Sequence, residues 1–193
     1  MREEFRLTLT LVVICILSAV ALSLAYEKTN LIIQENKDKQ LKDALKDVLP
    51  SAESFEEIKL SSDGIKMVFK GLDKGKVIGL VLLTEKAGFQ SFIKTLIGID
   101  LSTKEITNVK ILEHLETPGL GSRIEENIFL TQFQKQPLTG QKIDAITGAT
   151  ISSKAVIDSV KESTNEILRL IEENRLQGIK FIEKEKWEMY NNS

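Results

Sequence analysis

The chain has 193 residues and nearly balanced charge, 26 Lys+Arg against 28 Asp+Glu for a net charge of −2, which suffices for one core and lacks the basic excess of a nucleic-acid binder. A single cysteine, Cys15, and a single histidine, His114, exclude an internal disulfide and a Cys-ligated zinc or iron–sulfur centre, and argue against a multi-histidine metal site. Redox chemistry in this chain would need an organic cofactor.

Residues 1–6 carry Arg2 and Arg6, and residues 7–26, "LTLTLVVICILSAVALSLAY", are uncharged throughout. As a helix this stretch spans the ~30 Å hydrocarbon layer, for which about 20 residues are needed. Ala19-Val20-Ala21 and Ser23-Leu24-Ala25 resemble signal-peptidase sites, yet signal peptides have shorter apolar cores of roughly 7–15 residues. The length, behind a start at Met1, is read as an uncleaved anchor. The basic residues ahead of it predict a single-pass protein of the cell (inner) membrane, N-terminus cytoplasmic and bulk extracytoplasmic. Cys15 is then an apolar filler in mid-span.

Residues 27–50 keep a helical spacing, with Leu31, Leu41, Leu45 and Leu49 among charges, until Pro50, and read as a stalk helix. Residues 51–178 form the expected extracytoplasmic domain. "GIKMVFK" alternates Ile65, Met67 and Phe69 against Lys66, Val68 and Lys70, turns at "LDKGK" and returns as "KVIGLVLLT", a hairpin pattern. "TLIGIDL" and "EITNVKIL" give a second hairpin around "STK". Ile124, Ile128, Phe129 and Phe133 follow at helical spacing. A long helix from Ser152 to about Gln177 carries Val156, Val160, Ile167, Leu170 and Ile171 on one face, with Gly178 as its stop. Residues 179–193, with Trp187 and Tyr190, are a tail that docks on a partner or on its own domain. The fold class is α+β, an antiparallel sheet with flanking helices, behind one N-terminal transmembrane helix.

Two short stretches could carry chemistry. In "DAITGATISS", residues 144–153, small residues precede the helix. Either Ser152 or Ser153 caps an ordinary helix, with Thr147 and Thr150 in a turn, or the free amides and dipole of the helix start hold a phosphate, with Lys154 adding charge nearby. In "ETPGLG", residues 116–121, Pro118-Gly119 fits the centre of a type II turn. That turn would hold Leu120 on a rigid tip, able to press on a flat ring.

Together these stretches resemble the FMN-binding domain family shared by RnfG and NqrC. "DAITGAT" looks like that family's flavinylation motif, and "ETPGLG" is its second motif, intact; anchor, strands, loop, attachment motif and final helix follow in the family's order. The resemblance covers essentially the whole chain. It implies FMN joined through its phosphate to Thr150 in a phosphoester, making the chain a phosphoprotein as well as a covalent flavoprotein. Implied cofactor-binding residues besides Thr150 are Asp144, Thr147, Gly148 and Ala149 in the first motif, Ser153 and Lys154 in the "ISSKAV" that follows it, and Glu116, Thr117, Gly119, Leu120 and Gly121 in the second motif. Catalytic residues and metal ligands are not implied, and His114 is read as structural. A separate flavin transferase, using FAD and magnesium, attaches the flavin in this family. The implied role is that of RnfG in an Rnf-type complex, which passes electrons between ferredoxin and NAD⁺ while moving Na⁺ or H⁺. It would relay electrons to other membrane subunits, with no substrate-turnover site and no NAD site of its own, since no G-x-G-x-x-G follows a strand. The alternatives are an NqrC-type component of a Na⁺-translocating NADH:quinone reductase, whose chains are generally longer, a stand-alone or regulatory FMN-binding membrane protein, and a scaffold without flavin.

Overall fold

The computed structural model describes residues 2–58 and 64–173. The tail expected at 179–193 and the helix stop expected at Gly178 lie outside the described residues. The chain divides into two compact units, residues 1–42 and 43–193. Helix α1 (Arg2–Val48) fills the first unit and ends in the second.

Within the first unit, the 22 residues Phe5–Tyr26 have a mean hydropathy of 2.6, and none of the apolar stretch is buried. At 1.5 Å per residue such a helix is about 33 Å long, enough to cross a membrane. A helix that packs on a protein core buries one stripe and exposes the rest. Here every residue from Phe5 to Tyr26 is exposed, which fits a membrane anchor. The hydroxyl of Thr10 donates to the Arg6 carbonyl at 2.8 Å, so its polar group is satisfied within the helix.

The second unit is built on five strands, β1 (Ser54–Ile58), β2 (Ile65–Asp73), β3 (Lys76–Ala87), β4 (Phe92–Asp100) and β5 (Glu105–Glu113). They pair in sequence order, all antiparallel, as an uninterrupted meander. Short connections leave no other economical arrangement for neighbouring strands. One sheet face, with Leu80, Leu82, Ile97, Ile99 and Ile106, joins Val156, Val160, Ile167 and Leu170 of helix α3 (Thr150–Glu172) in the main cluster. The other face is buried too, and it receives the last turns of α1 and the residue after them, with Ala44, Leu45, Val48 and Leu49 all buried.

That second contact is close because the strands are bare beneath it. A Cβ at Gly79 would lie 2.8 Å from Leu49 Cδ2, and one at Gly98 would overlap the Val48 carbonyl. The carbonyls at a helix end need outside donors. They find them on β5, where the Thr107 hydroxyl donates to Val48 O and the Asn108 amide to Asp47 O at 3.1 Å. The folded unit thus begins inside the helix, at Asp43, rather than after Pro50.

Three local expectations need correction. The alternation expected in β2 fails at Met67, which is exposed while both Val68 and Phe69 are buried. A register shift between Ile65 and Met67 inserts one residue against β3, and a bulge moves every later side chain to the opposite face. The helix expected through Ile124 to Phe133 is a 3₁₀ turn (Gly121–Glu125), a single α turn α2 (Asn127–Leu130) and another 3₁₀ turn (Thr131–Phe133). Ile124, Phe129 and Phe133 reach the core from it, with the two rings edge to face at 5.4 Å, but Ile128 points to solvent. Helix α3 starts at Thr150 instead of near Ser152, and neither Ser152 nor Ser153 is its cap.

Replacement of Gly98 tests the bare-strand contact. Gly98→Ala forces a methyl group into the Val48 carbonyl and is expected to destabilise the domain by about 1–3 kcal/mol, read as a Tm lowered by several degrees in thermal unfolding of the full chain in detergent. An unchanged Tm would show that the end of α1 does not bear on β4.

Candidate functional site

Both short motifs fold as the same kind of turn. In "ETPGLG", Leu120 N–H donates to the Thr117 carbonyl at 3.1 Å, and Gly119 has φ +74°. In "DAITGAT", Ala149 N–H donates to the Ile146 carbonyl at 3.0 Å, and Gly148 has φ +84°. A four-residue turn with positive φ at its third position favours glycine there. Ser122 Oγ fastens the first turn by accepting from Gly119 N–H at 2.9 Å. Arg123 reaches from the following 3₁₀ turn to the second, donating to the Thr147 carbonyl at 3.2 Å.

A third turn, between β3 and β4, closes through Gly88 N–H on the Ser91 carbonyl at 2.8 Å. The three turns are bound together by one carboxylate. Glu116 is 4% exposed. Its Oε1 accepts from Gln90 N–H at 2.9 Å and Ser91 N–H at 3.0 Å; its Oε2 accepts from Phe89 N–H at 3.2 Å and from the Ser152 hydroxyl at 2.6 Å. Burial pushes this carboxyl upward, but the hydrogen bonds from Ser152, Gln90, Ser91 and Phe89 outweigh it and hold the group below the ordinary 4.5. Space around it is tight: a Cβ at Gly88 would lie 2.6 Å from Oε1, and one at Gly121 2.7 Å from Oε2. His114 supports the same knot from behind. Its Nδ1 accepts from Glu116 N–H at 3.0 Å, which leaves the proton on Nε2, 3.1 Å from Glu125 Oε1.

The start of α3 completes the site. Its cap residue, Ala149, offers no side-chain acceptor, so the first-turn amides of Thr150, Ile151 and Ser152 have no partner from a cap. Ser153 is occupied elsewhere: its hydroxyl accepts from Ile146 N–H at 3.1 Å and donates to the Ala149 carbonyl at 2.8 Å. Over the helix start opens a cavity of about 310 Å³, lined by Phe89, by Thr117, Leu120 and Gly121, and by residues 148–152. The lining combines the amides of the helix start and the exposed Thr150 residue with the apolar side chains of Phe89, Leu120 and Ile151.

Of the residues singled out in the sequence, the cavity therefore gathers Thr117, Leu120, Gly121, Gly148, Ala149 and Thr150. It does not gather the others. Glu116 lies buried behind the wall. Gly119 is exposed at the tip of its turn, and Thr147 and Lys154 are exposed outside the lining. Asp144 is also exposed, its backbone held by the Gln132 side chain at 2.9 Å and 3.4 Å. Sequence reasoning missed Phe89, Ile151 and Ser152. The signal available for Phe89 was an aromatic residue set in "AGFQS", a polar turn between two strands.

The Glu116 knot has a measurable pH signature. A carboxyl held below its unfolded value contributes stability that is complete above about pH 4.5 and is lost as pH falls through the lower, folded value. Glu116→Gln places an amide donor against a ring of donors and is expected to cost about 2 kcal/mol. In a pH series of thermal unfolding, the gap between parent and variant is expected to narrow on acidification below pH 4.5; a gap independent of pH would contradict the charged latch.

Residues 88–165 match the family model of the FMN-binding domain, a segment containing all three wall-forming stretches. The chain is 34% identical over 177 residues to the G component of the ion-translocating oxidoreductase complex of Methanosarcina acetivorans, covering 85% of this chain and 94% of that one. With the G component of the proton-translocating ferredoxin:NAD(+) oxidoreductase complex of Clostridium ljungdahlii it shares 27% identity over 173 residues, covering 84% and 91%. Among solved structures, NqrC of Shewanella oneidensis superposes with a TM-score of 0.46 at 21% identity, over 63% of this chain and 73% of that chain. With more than nine-tenths of the Methanosarcina acetivorans protein matched at this identity, the chain belongs to the RnfG family of ion-translocating oxidoreductase complexes and contains that family's FMN-binding domain.

Proposed function

We propose that this chain is the membrane-anchored flavoprotein subunit of an Rnf-type ferredoxin:NAD⁺ oxidoreductase, and that it carries FMN as a phosphoester on Thr150. The observation that carries this reading is the position of Thr150, exposed at the first residue of α3 beside uncapped helix amides and in the lining of the cavity. Helix amides and the positive dipole end suit a phosphate. The cavity volume of about 310 Å³ lies at the lower end of the range for small-molecule sites, roughly 300–1,000 Å³, and its wall combines a few polar groups with apolar ones as such sites do. The residues present fit FMN.

A threonine hydroxyl is a weak nucleophile, so attachment falls to a separate flavin transferase with FAD as donor. Thr150 Oγ attacks the FMN-side phosphorus, the phosphoanhydride bond breaks, AMP departs and the hydroxyl proton is released. Small neighbours at Gly148 and Ala149 leave the hydroxyl open to that enzyme. Asp144, Thr147 and Lys154, all exposed, are assigned to the surface it meets, with Lys154 one helical turn beyond Thr150 on the same side. Bound FMN supplies one- and two-electron chemistry at its isoalloxazine ring. The chain's own part is to hold the phosphate at Thr150, shield the ring with apolar groups and keep the three turns fixed through Glu116. Phe5–Tyr26 anchors the chain in the cell membrane, N-terminus cytoplasmic and flavin domain outside. Other subunits of the complex donate and accept the electrons and carry the NAD⁺ chemistry.

The linkage is tested on the full chain produced with its flavin transferase. Intact mass is expected to rise by FMN less one water, and a denaturing gel under ultraviolet light is expected to show a fluorescent band that Thr150→Ala abolishes. Fluorescence persisting in Thr150→Ala would move the bond to another residue.

A further inference from the structure

We propose that Phe89 is a ring-contacting residue of the flavin site, its phenyl group packed against the isoalloxazine of the FMN held at Thr150. The inference rests on the FMN reading above and adds a residue outside both motifs. Phe89 lines the cavity, yet its side chain is 69% exposed. An exposed apolar side chain alone needs no explanation. This one is different because its backbone is fixed: Phe89 N–H is tied to Glu116 Oε2, and its turn neighbours Gln90 and Ser91 are tied to Oε1. Thr117, in the turn that presents Leu120, also donates through Oγ1 to Gln90 Oε1 at 3.0 Å. Phe89 and Leu120 are therefore held in fixed relation by a shared set of hydrogen bonds, both in the wall of one cavity and both more than half exposed. Ile151, 56% exposed, adds a third apolar group on the same wall. A rigid frame that holds apolar groups open around a cavity suits a flat, largely apolar ligand. Aromatic rings gain from offset or edge contact with another π system beyond what burial supplies. Thr150 and Phe89 line the same cavity, so a flavin attached at Thr150 through its phosphate has its ring among the apolar groups of that lining, Phe89 included.

The test uses the full chain loaded by its transferase in detergent, with flavin per chain measured by absorbance. An indole in van der Waals contact quenches flavin emission by electron transfer to the excited ring. Phe89→Trp is therefore expected to lower emission per bound flavin several-fold. Phe92→Trp, at an exposed position of β4 outside the cavity wall, is expected to leave it at the parental level; native Trp187 is common to all three proteins. Should Phe89→Trp fold or load poorly, Phe89→Ala is read instead, by iodide quenching, whose constant is expected to rise as the ring is uncovered. Parental emission in loaded Phe89→Trp, or a parental iodide constant in Phe89→Ala, overturns the contact while leaving the FMN assignment intact. A parent chain that takes up no flavin overturns both.

Discussion

A carboxylate removed from water must be given back its hydrogen bonds or it forces the structure apart. Glu116 is given four, and none of its donors is a sequence neighbour. Three come from the β3–β4 turn and one from the first turn of α3. The charge therefore converts a local glutamate into the junction of three chain segments. Charged hydrogen bonds are stronger than neutral ones, which is why a single side chain suffices. The surrounding glycines follow from the same constraint. Gly88 and Gly121 flank the carboxylate from opposite segments, and a methyl group on either would intrude on an oxygen.

The sheet explains where this junction lies. Strands that pair in order leave their turns alternately at the two ends, and the β3–β4 turn shares an end with the segment leaving β5. Helix α3 lies on the main core face, and its first turn meets those two loops. The opposite face is closed by the end of α1 against Gly79 and Gly98. With both faces covered, the β3–β4 turn and the two motif turns carry the cavity, in keeping with the general placement of ligand sites on loops held by a rigid scaffold.

What could be read from the sequence was whatever depends on near neighbours. The turn in "ETPGLG" and the second hairpin follow from Gly, Pro and strand periodicity over a few residues, and α3 shows itself by a stripe of Val, Ile and Leu. The errors arose where distant contacts override local preference. Ser152 and Ser153 are good capping residues by type, yet one hydroxyl goes to Glu116 and the other to Ile146 and Ala149. The bulge beside Met67 costs β2 one residue of phase, which no alternation pattern announces. The role of Glu116 was hidden most deeply, because its partners lie 25 to 36 residues away.

In the proposed holoprotein, the attachment residue and the apolar lining of the cavity answer to different demands. An enzyme must reach the Thr150 hydroxyl, so Thr150 is exposed, with small residues before it and first-turn amides without a side-chain cap. The surroundings of the ring have the opposite requirement. A relay needs surroundings that stay put while charge comes and goes, since fixed dipoles and packed groups require no rearrangement at the moment of transfer. The Glu116 hydrogen bonds meet it by pinning the turns that bear Phe89 and Leu120. A phosphoester also leaves the ring chemically unaltered, so tuning of its potential falls to those turns. Attachment and tuning are thereby assigned to separate segments, joined at Ser152, where α3 leaves the attachment residue and its hydroxyl meets the buried carboxylate.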